Sequence, residues 1–160
     1  MLDTEIKGKA KAEMQGTESP YLEASYLNGG DVTFVDSPIN VDCEDIIILW
    51  DGSQAGTVYY GFKGALGSTL KAYKPKCNGS FLYQQMKKNQ QKIYDSYRTP
   101  NIPHVIKTFT NEFIVSVPTP QEQQKIGTFF SRLDAHITLH QRKLENLRKQ
   151  KKALLQQMFV

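Results

Sequence analysis

The sequence predicts an α+β fold: a globular domain over residues 1–118, with a small twisted β-sheet and helices, then one long C-terminal helix over residues 119–160. Three observations predict it. Short runs rich in β-branched and aromatic residues alternate with Gly, Ser, Asn and Asp, as strands alternate with turns. Residues 81–97 and nearly everything after 119 instead place apolar side chains at helical spacing. The switch falls at Pro118-Thr119-Pro120, a helix-start signal.

The strand runs are residues 31–35, 45–50, 56–60 and 67–73. Ile46-Ile47-Ile48-Leu49-Trp50 is apolar at every position, so both faces of that strand are expected to be buried. Residues 81–97 gather Phe81 or Leu82, Met86, Gln90, Ile93 and Tyr97 near one face, leaving Lys87, Lys88 and Lys92 for the other, and so read as an amphipathic helix. A loop with Pro100 and Pro103 follows, and a last strand is expected at residues 112–117. No internal repeat or low-complexity segment interrupts this order.

The long helix opens on a capping box, with Thr119 as N-cap, Pro120 as N1 and Glu122 as N3. Ile126, Phe130, Leu133, Ile137, His140, Leu144, Leu147, Lys151, Leu154 and Met158 then step by alternating fours and threes. That 3.5-residue repeat belongs to a helix that pairs along its length with another helix. No Gly follows Gly127 and no Pro follows Pro120, so nothing breaks it. At ~1.5 Å per residue it extends roughly 55 Å, beyond the reach of one small core. His140 and Lys151 are polar positions in the seam, of the kind that set register at some cost in stability.

Composition narrows the class. Apolar residues at 39% and charged residues at 22% exclude a disordered chain. No run of eighteen apolar residues is present and Met1-Leu2-Asp3-Thr4-Glu5 is polar, so neither a membrane span nor a signal peptide is expected. Cys43 and Cys77 lack His or Cys neighbours at metal spacing and read as reduced thiols of a cytoplasmic protein. The net charge of +4 is uneven: residues 1–80 hold seven basic and eleven acidic side chains, residues 81–160 thirteen and five. A basic second half fits a nucleic-acid or acidic-protein partner, and equally a solvated helix with cations near its C-terminus.

No catalytic set emerges, and no cofactor is expected. His136 and His140 are i, i+4, but neither a Glu after the first nor a third ligand accompanies them. The glycine-containing turn at residues 50–56 lacks the phosphate-loop pattern and reads as a strand connection. Its alternative use is a tight loop bringing Ser53 and Gln54 to a ligand, Gln being one of two side chains suited to bidentate reading of adenine. Lys7, Lys9 and Lys11 form one basic cluster. Lys63, Lys71, Lys74 and Lys76, among Tyr59, Tyr60, Phe62 and Tyr73, form a second. The second mixture fits phosphate contact with stacking, or ordinary alternation with aromatics inward and lysines outward.

Four segments together resemble the specificity (S) subunit of type I restriction–modification systems, in the form of one target-recognition domain with its conserved helical region. Residues 118–126, with prolines followed by Glu122-Gln123 and Ile126, resemble that family's junction into its long helix. Leu133-Asp134, then Leu144, Leu147, Lys151 and residues 154–159, resemble the helical ending. Residues 45–49 with the loop to Gly56 resemble its strand and glycine turn, and residues 99–105 the segment before its last strand. Together they cover most of residues 45–160.

The resemblance implies a non-catalytic DNA-recognition subunit that reads one half of a split double-stranded DNA site. It implies adenine methyltransferase subunits as partners, with S-adenosylmethionine bound by them, and a restriction/translocase subunit that joins. The long helices pair as an antiparallel coiled coil whose length sets the half-site separation. A complete S subunit carries two domains and two helices, against one of each here. The chain is therefore either a half-subunit that homodimerises or a fragment of a longer subunit. Arg98-Thr99 departs from the family, which often has Gly there. Recognition domains vary, so base contacts are not carried over; the DNA-facing candidates, from loops and basic positions, are Ser53, Gln54, Lys63, Lys71, Lys74, Asn101 and His104. The competing reading is a coiled-coil scaffold or adaptor whose N-terminal domain binds a protein.

Overall fold

Strand β4 (Ile46–Leu49) is buried at all four positions because it lies inside a sheet covered on both faces. A computed structural model describes residues 2–159. The chain divides by its contacts into a unit of Met1–Gly127 and a unit of Thr128–Val160. In the first, β1 (Leu2–Lys7), β7 (Leu70–Pro75), β4 and β5 (Val58–Tyr59) form a sheet in the order β1-β7-β4-β5, every pair antiparallel. A second sheet, β3-β2-β6, comprises β2 (Gln15–Leu22), β3 (Phe34–Val35) and β6 (Ala65–Leu66), with β2 and β6 parallel.

Register decides which side chains meet. Ile46 stands opposite Tyr73 and Ile48 opposite Lys71, and side chains alternate faces along a strand. One face therefore carries Ile46, Ile48, Trp50 and Tyr73, which pack with Leu82 and Met86 of α2 (Gly79–Lys88) and Ile93 of α3 (Gln90–Ser96). The other carries Ile47, Leu49, Leu70 and Ala72, covered by Leu22, Leu66 and Leu27 of α1 (Ala24–Leu27). At about 1.5–3 kcal/mol for each large side chain fully buried, these two layers are the main source of stability. At the sheet's edge, Glu5 of β1 accepts hydrogen bonds from the Tyr73 hydroxyl (2.9 Å) and Lys71 Nζ (3.3 Å). Burial, and then that carboxylate, push the Tyr73 phenol far above its ordinary range, so it stays a donor.

Several expectations need correction. Helix 81–97 is two helices: Asn89 ends α2, its Nδ2 donating to the Gln85 carbonyl at 2.7 Å, and α3 starts afresh. Side-chain periodicity carries through such a break, so it was invisible to a helical-spacing argument. Residues 112–117 are not a strand. The short α4 (Phe109–Glu112) ends there and the chain runs on without a ladder. Phe113 and Val115 nevertheless pack against the core while Ile114 is 85% exposed. Alternation reports which side is covered, not whether a neighbouring backbone supplies hydrogen bonds. Strand 31–35 shrinks to β3, and 67–73 resolves into the end of one turn and β7. β1, β2, β6 and α1 were unforeseen: LDTEIK and QGTESPYL are largely polar, and their strands have few fully buried positions.

Helix α5 runs unbroken over Pro120–Met158. The capping box forms: the Thr119 N–H (3.1 Å) and hydroxyl (2.7 Å) both donate to Glu122 Oε2. Those bonds hold the Glu122 carboxyl below the usual carboxylate range. Its first turns pack with the domain. Gln123 is buried, accepting from the Asn78 N–H (3.1 Å) and donating to the Pro118 carbonyl (2.8 Å). Gly127 leaves room for that approach, since a Cβ there would lie 2.7 Å from Asn78 Oδ1. In the second unit, every residue from Phe129 to Phe159 is exposed.

Candidate nucleic-acid interface

The turn after β4 and the loop after α3 meet in one place. Gly52 and Gly56 adopt φ of 112° and 92°, a left-handed conformation that glycine takes without strain, and so close the turn tightly. Gly52 donates its N–H to the Pro103 carbonyl at 3.0 Å, and Asp51 bridges antiparallel to His104. This brings the turn that carries Ser53 and Gln54 beside the loop that carries Asn101 and His104. Ser53, Gln54 and Asn101 are exposed.

His104 is half-buried, and its ring is committed to its own loop. Nδ1 lies 3.1 Å from the Ile102 carbonyl and 3.0 Å from Thr99 Oγ1. A carbonyl oxygen only accepts, so Nδ1 carries the proton. Thr99 Oγ1 also donates to the Ile102 carbonyl and accepts from the His104 N–H at 3.2 Å. With Pro100 and Pro103 restricting φ, residues 99–104 form a stiff loop that holds Ile102 78% exposed at its tip.

Helix α3 and the residue just beyond it clamp the turn. Gln90 Nε2 donates to the Gly56 carbonyl (2.7 Å), and Gln90 Oε1 accepts from the Val58 N–H (3.2 Å). Thr57 Oγ1 donates to the Gln54 carbonyl (2.7 Å), so the Tyr94 hydroxyl, also 2.7 Å from Thr57 Oγ1, is the donor in that second bond. Arg98 donates from Nε to the Tyr94 carbonyl (3.0 Å) and from Nη1 to the Ser53 carbonyl (3.1 Å), with its guanidinium 4.7 Å from the Tyr94 ring centroid. Gln90, Tyr94 and Arg98 stand four apart in sequence. Sequence reasoning placed Gln90 on the inward face and missed the other two, although the spacing was there to read.

The basic candidates sit differently. Lys63 pairs with Asp42 (3.5 Å) and Lys74 with Asp45 (3.4 Å), around the turn leading into β4 and at the opposite end of that strand from Ser53. The Cys43 N–H first, and Lys63 next, hold Asp42 below the usual carboxylate range. Lys71 is half-buried, pairs with Glu5 at 3.3 Å and lies 3.5 Å from the Trp50 ring centroid. It shares a sheet face with Tyr73, so the simple division of aromatics inward and lysines outward holds for Lys74 but not for Lys71. All three lysines thus have carboxylate partners, whereas Arg98 makes its contacts to carbonyl oxygens and keeps its charge uncompensated among the described residues. Among the described residues no helix is long and apolar enough to cross a membrane, and no group of three or more His, Cys, Asp or Glu could hold a metal ion.

A two-sheet domain with a pair of braced loops runs into a long capped helix. The family model for the type I restriction modification DNA specificity domain matches residues 4–149, nearly the whole chain, and the chain belongs to that family. It is 32% identical over 166 aligned positions to the type I restriction enzyme MjaVIII specificity subunit of Methanocaldococcus jannaschii, covering 97% of this chain and 39% of that one. Its fold is that of the type I restriction–modification S subunit from M. genitalium, with a TM-score of 0.71, 24% identity and coverage of 91% of this chain and 40% of that one. A chain of another solved type I R-M system aligns with a TM-score of 0.68 at 13% identity, covering 94% and 40% of the two chains. The chain thus spans about 40% of the length of these relatives.

Proposed function

We propose that this chain supplies DNA sequence recognition to a type I restriction–modification complex in the cytoplasm. The domain reads one half of a bipartite double-stranded site. The helix pairs antiparallel with a second such helix, from another copy or from the remainder of a longer subunit. Adenine methyltransferase subunits dock on the assembly and bind S-adenosylmethionine, and a restriction/translocase subunit joins them. The chain itself carries no chemistry; its work is selection and spacing.

The observation that carries this reading is the family match over residues 4–149, which takes in the paired loops and most of the long helix. The scaffold or adaptor reading drew on the helix and the charge balance and does not account for a match through the domain. Ser53, Gln54 and Asn101 are the exposed polar side chains available for base edges. The lysines of the second half supply attraction to phosphate.

The test is binding to duplex DNA as salt is varied, with and without the methyltransferase subunit. With about three phosphate contacts, affinity should fall roughly 40-fold over a fourfold rise in salt. It should also tighten when the methyltransferase is added. Absence of duplex binding at low salt with that subunit present would remove the proposal.

A further inference from the structure

Ser53 and Gln54 on one side, and Asn101 and Ile102 on the other, come from segments more than forty residues apart in sequence. Their backbones touch through the Gly52–Pro103 and Asp51–His104 contacts at the base. Nearer the tip of the turn, the contact that ties it to the start of the second loop is made by one side chain, Arg98, through the Ser53 carbonyl (3.1 Å). Arg98 is itself immobilised by the Tyr94 carbonyl (3.0 Å) and the Tyr94 ring. A planar guanidinium with two donors engaged at fixed angles sets both distance and orientation; an ammonium on a flexible stem does neither.

We infer that Arg98 is a specificity-positioning residue: it fixes the spacing between the Ser53–Gln54 turn and the Asn101–Ile102 loop, so that both read neighbouring base pairs as one surface. The inference rests on the DNA reading proposed above. Base pairs repeat every ~3.4 Å along the duplex, so a drift of a few ångströms between the loops moves one set of contacts off its base pair. Non-specific attraction depends on charge rather than on this spacing. Arg98 therefore governs which sequence is bound more than whether DNA is bound.

The experiment selects from a randomised duplex DNA pool, using the full chain with its adenine methyltransferase subunit, and compares wild type with Arg98→Lys. Lysine keeps the charge and loses the two-point brace. Retention of the unselected pool should stay within about twofold, while preference for the selected motif over scrambled duplex falls roughly tenfold or more. Tyr94→Phe, which removes the Thr57 bond but keeps the ring beneath the guanidinium, should lower the preference less, with its thermal midpoint as a control on folding. Motif and preference unchanged in both variants overturn the inference. So does equal loss of pool and motif binding, which would make Arg98 a phosphate contact. A wild type that selects no motif removes the underlying DNA reading, and this inference with it.

Discussion

The turn at residues 51–56 exposes its first four residues and the helix beyond Gly127 is exposed from Phe129 on, yet they are held in opposite ways. The turn has no core of its own but receives hydrogen bonds from Gln90, Tyr94 and Arg98 and rests on a buried sheet. The helix has an apolar stripe, with Leu133 40% and Leu144 50% exposed. Within that unit Glu145 pairs with Lys149 at 2.9 Å, an exposed i,i+4 pair of small worth. A lone helix is marginal in water, and most helical stability comes from covering its apolar face. The domain thus carries its stability within itself, whereas the helix, on the function proposed above, receives its stability from a second helix.

That contrast can be broken most severely in the domain. Phe81 of α2 is fully buried, and Phe81→Ala should cost about 3–5 kcal/mol of unfolding free energy in urea titration. Leu147→Ala should shift the same domain transition by less than about 0.5 kcal/mol. If both substitutions shift it alike, the two regions are not energetically separate. Next in size is a loss of assembly without loss of fold. If the second helix proposed above comes from another copy, Leu144→Glu with Leu147→Glu should reduce the particle from twice 18.2 kDa to 18.2 kDa by light scattering, with the domain's urea midpoint unmoved. An unchanged mass would count against pairing through this seam.

The smallest effect lies where the helix begins. Thr119→Ala should cost ~1 kcal/mol through the lost cap. Glu122 has a folded-state pKa below its ordinary value, so its contribution is present at neutral pH and is lost as pH falls through that lowered value. An NMR titration of the Glu122 carboxyl should show the low midpoint, and Thr119→Ala should raise it. A midpoint that does not respond would mean that the capping box is not what lowers it.

Much of the fold was legible because the responsible physics is local. The continuous apolar run of β4 announced burial on both faces, and the capping box with no later Gly or Pro announced α5 to within a residue of its start. Ser53, Gln54, Asn101 and His104 could be proposed as loop residues. What the loops do to one another could not. Nor could the contacts of His104 Nδ1 with Ile102 and Thr99 inside its own loop. Lys63, Lys71 and Lys74 could be read as candidates for phosphate contact, but the carboxylate partner that the fold brings to each could not, Glu5 coming from sixty-six residues away.

Periodicity, capping and turn chemistry act over a few residues, so the amino-acid order alone settled the central strand, the long helix and its unsatisfied seam. Strand partners, the break at Asn89, the absence of a ladder at residues 112–117 and the Arg98–Ser53 contact depend on which distant segments meet. Only tertiary structure decides those, because a hydrogen bond or an ion pair exists only when both of its atoms arrive at the same place.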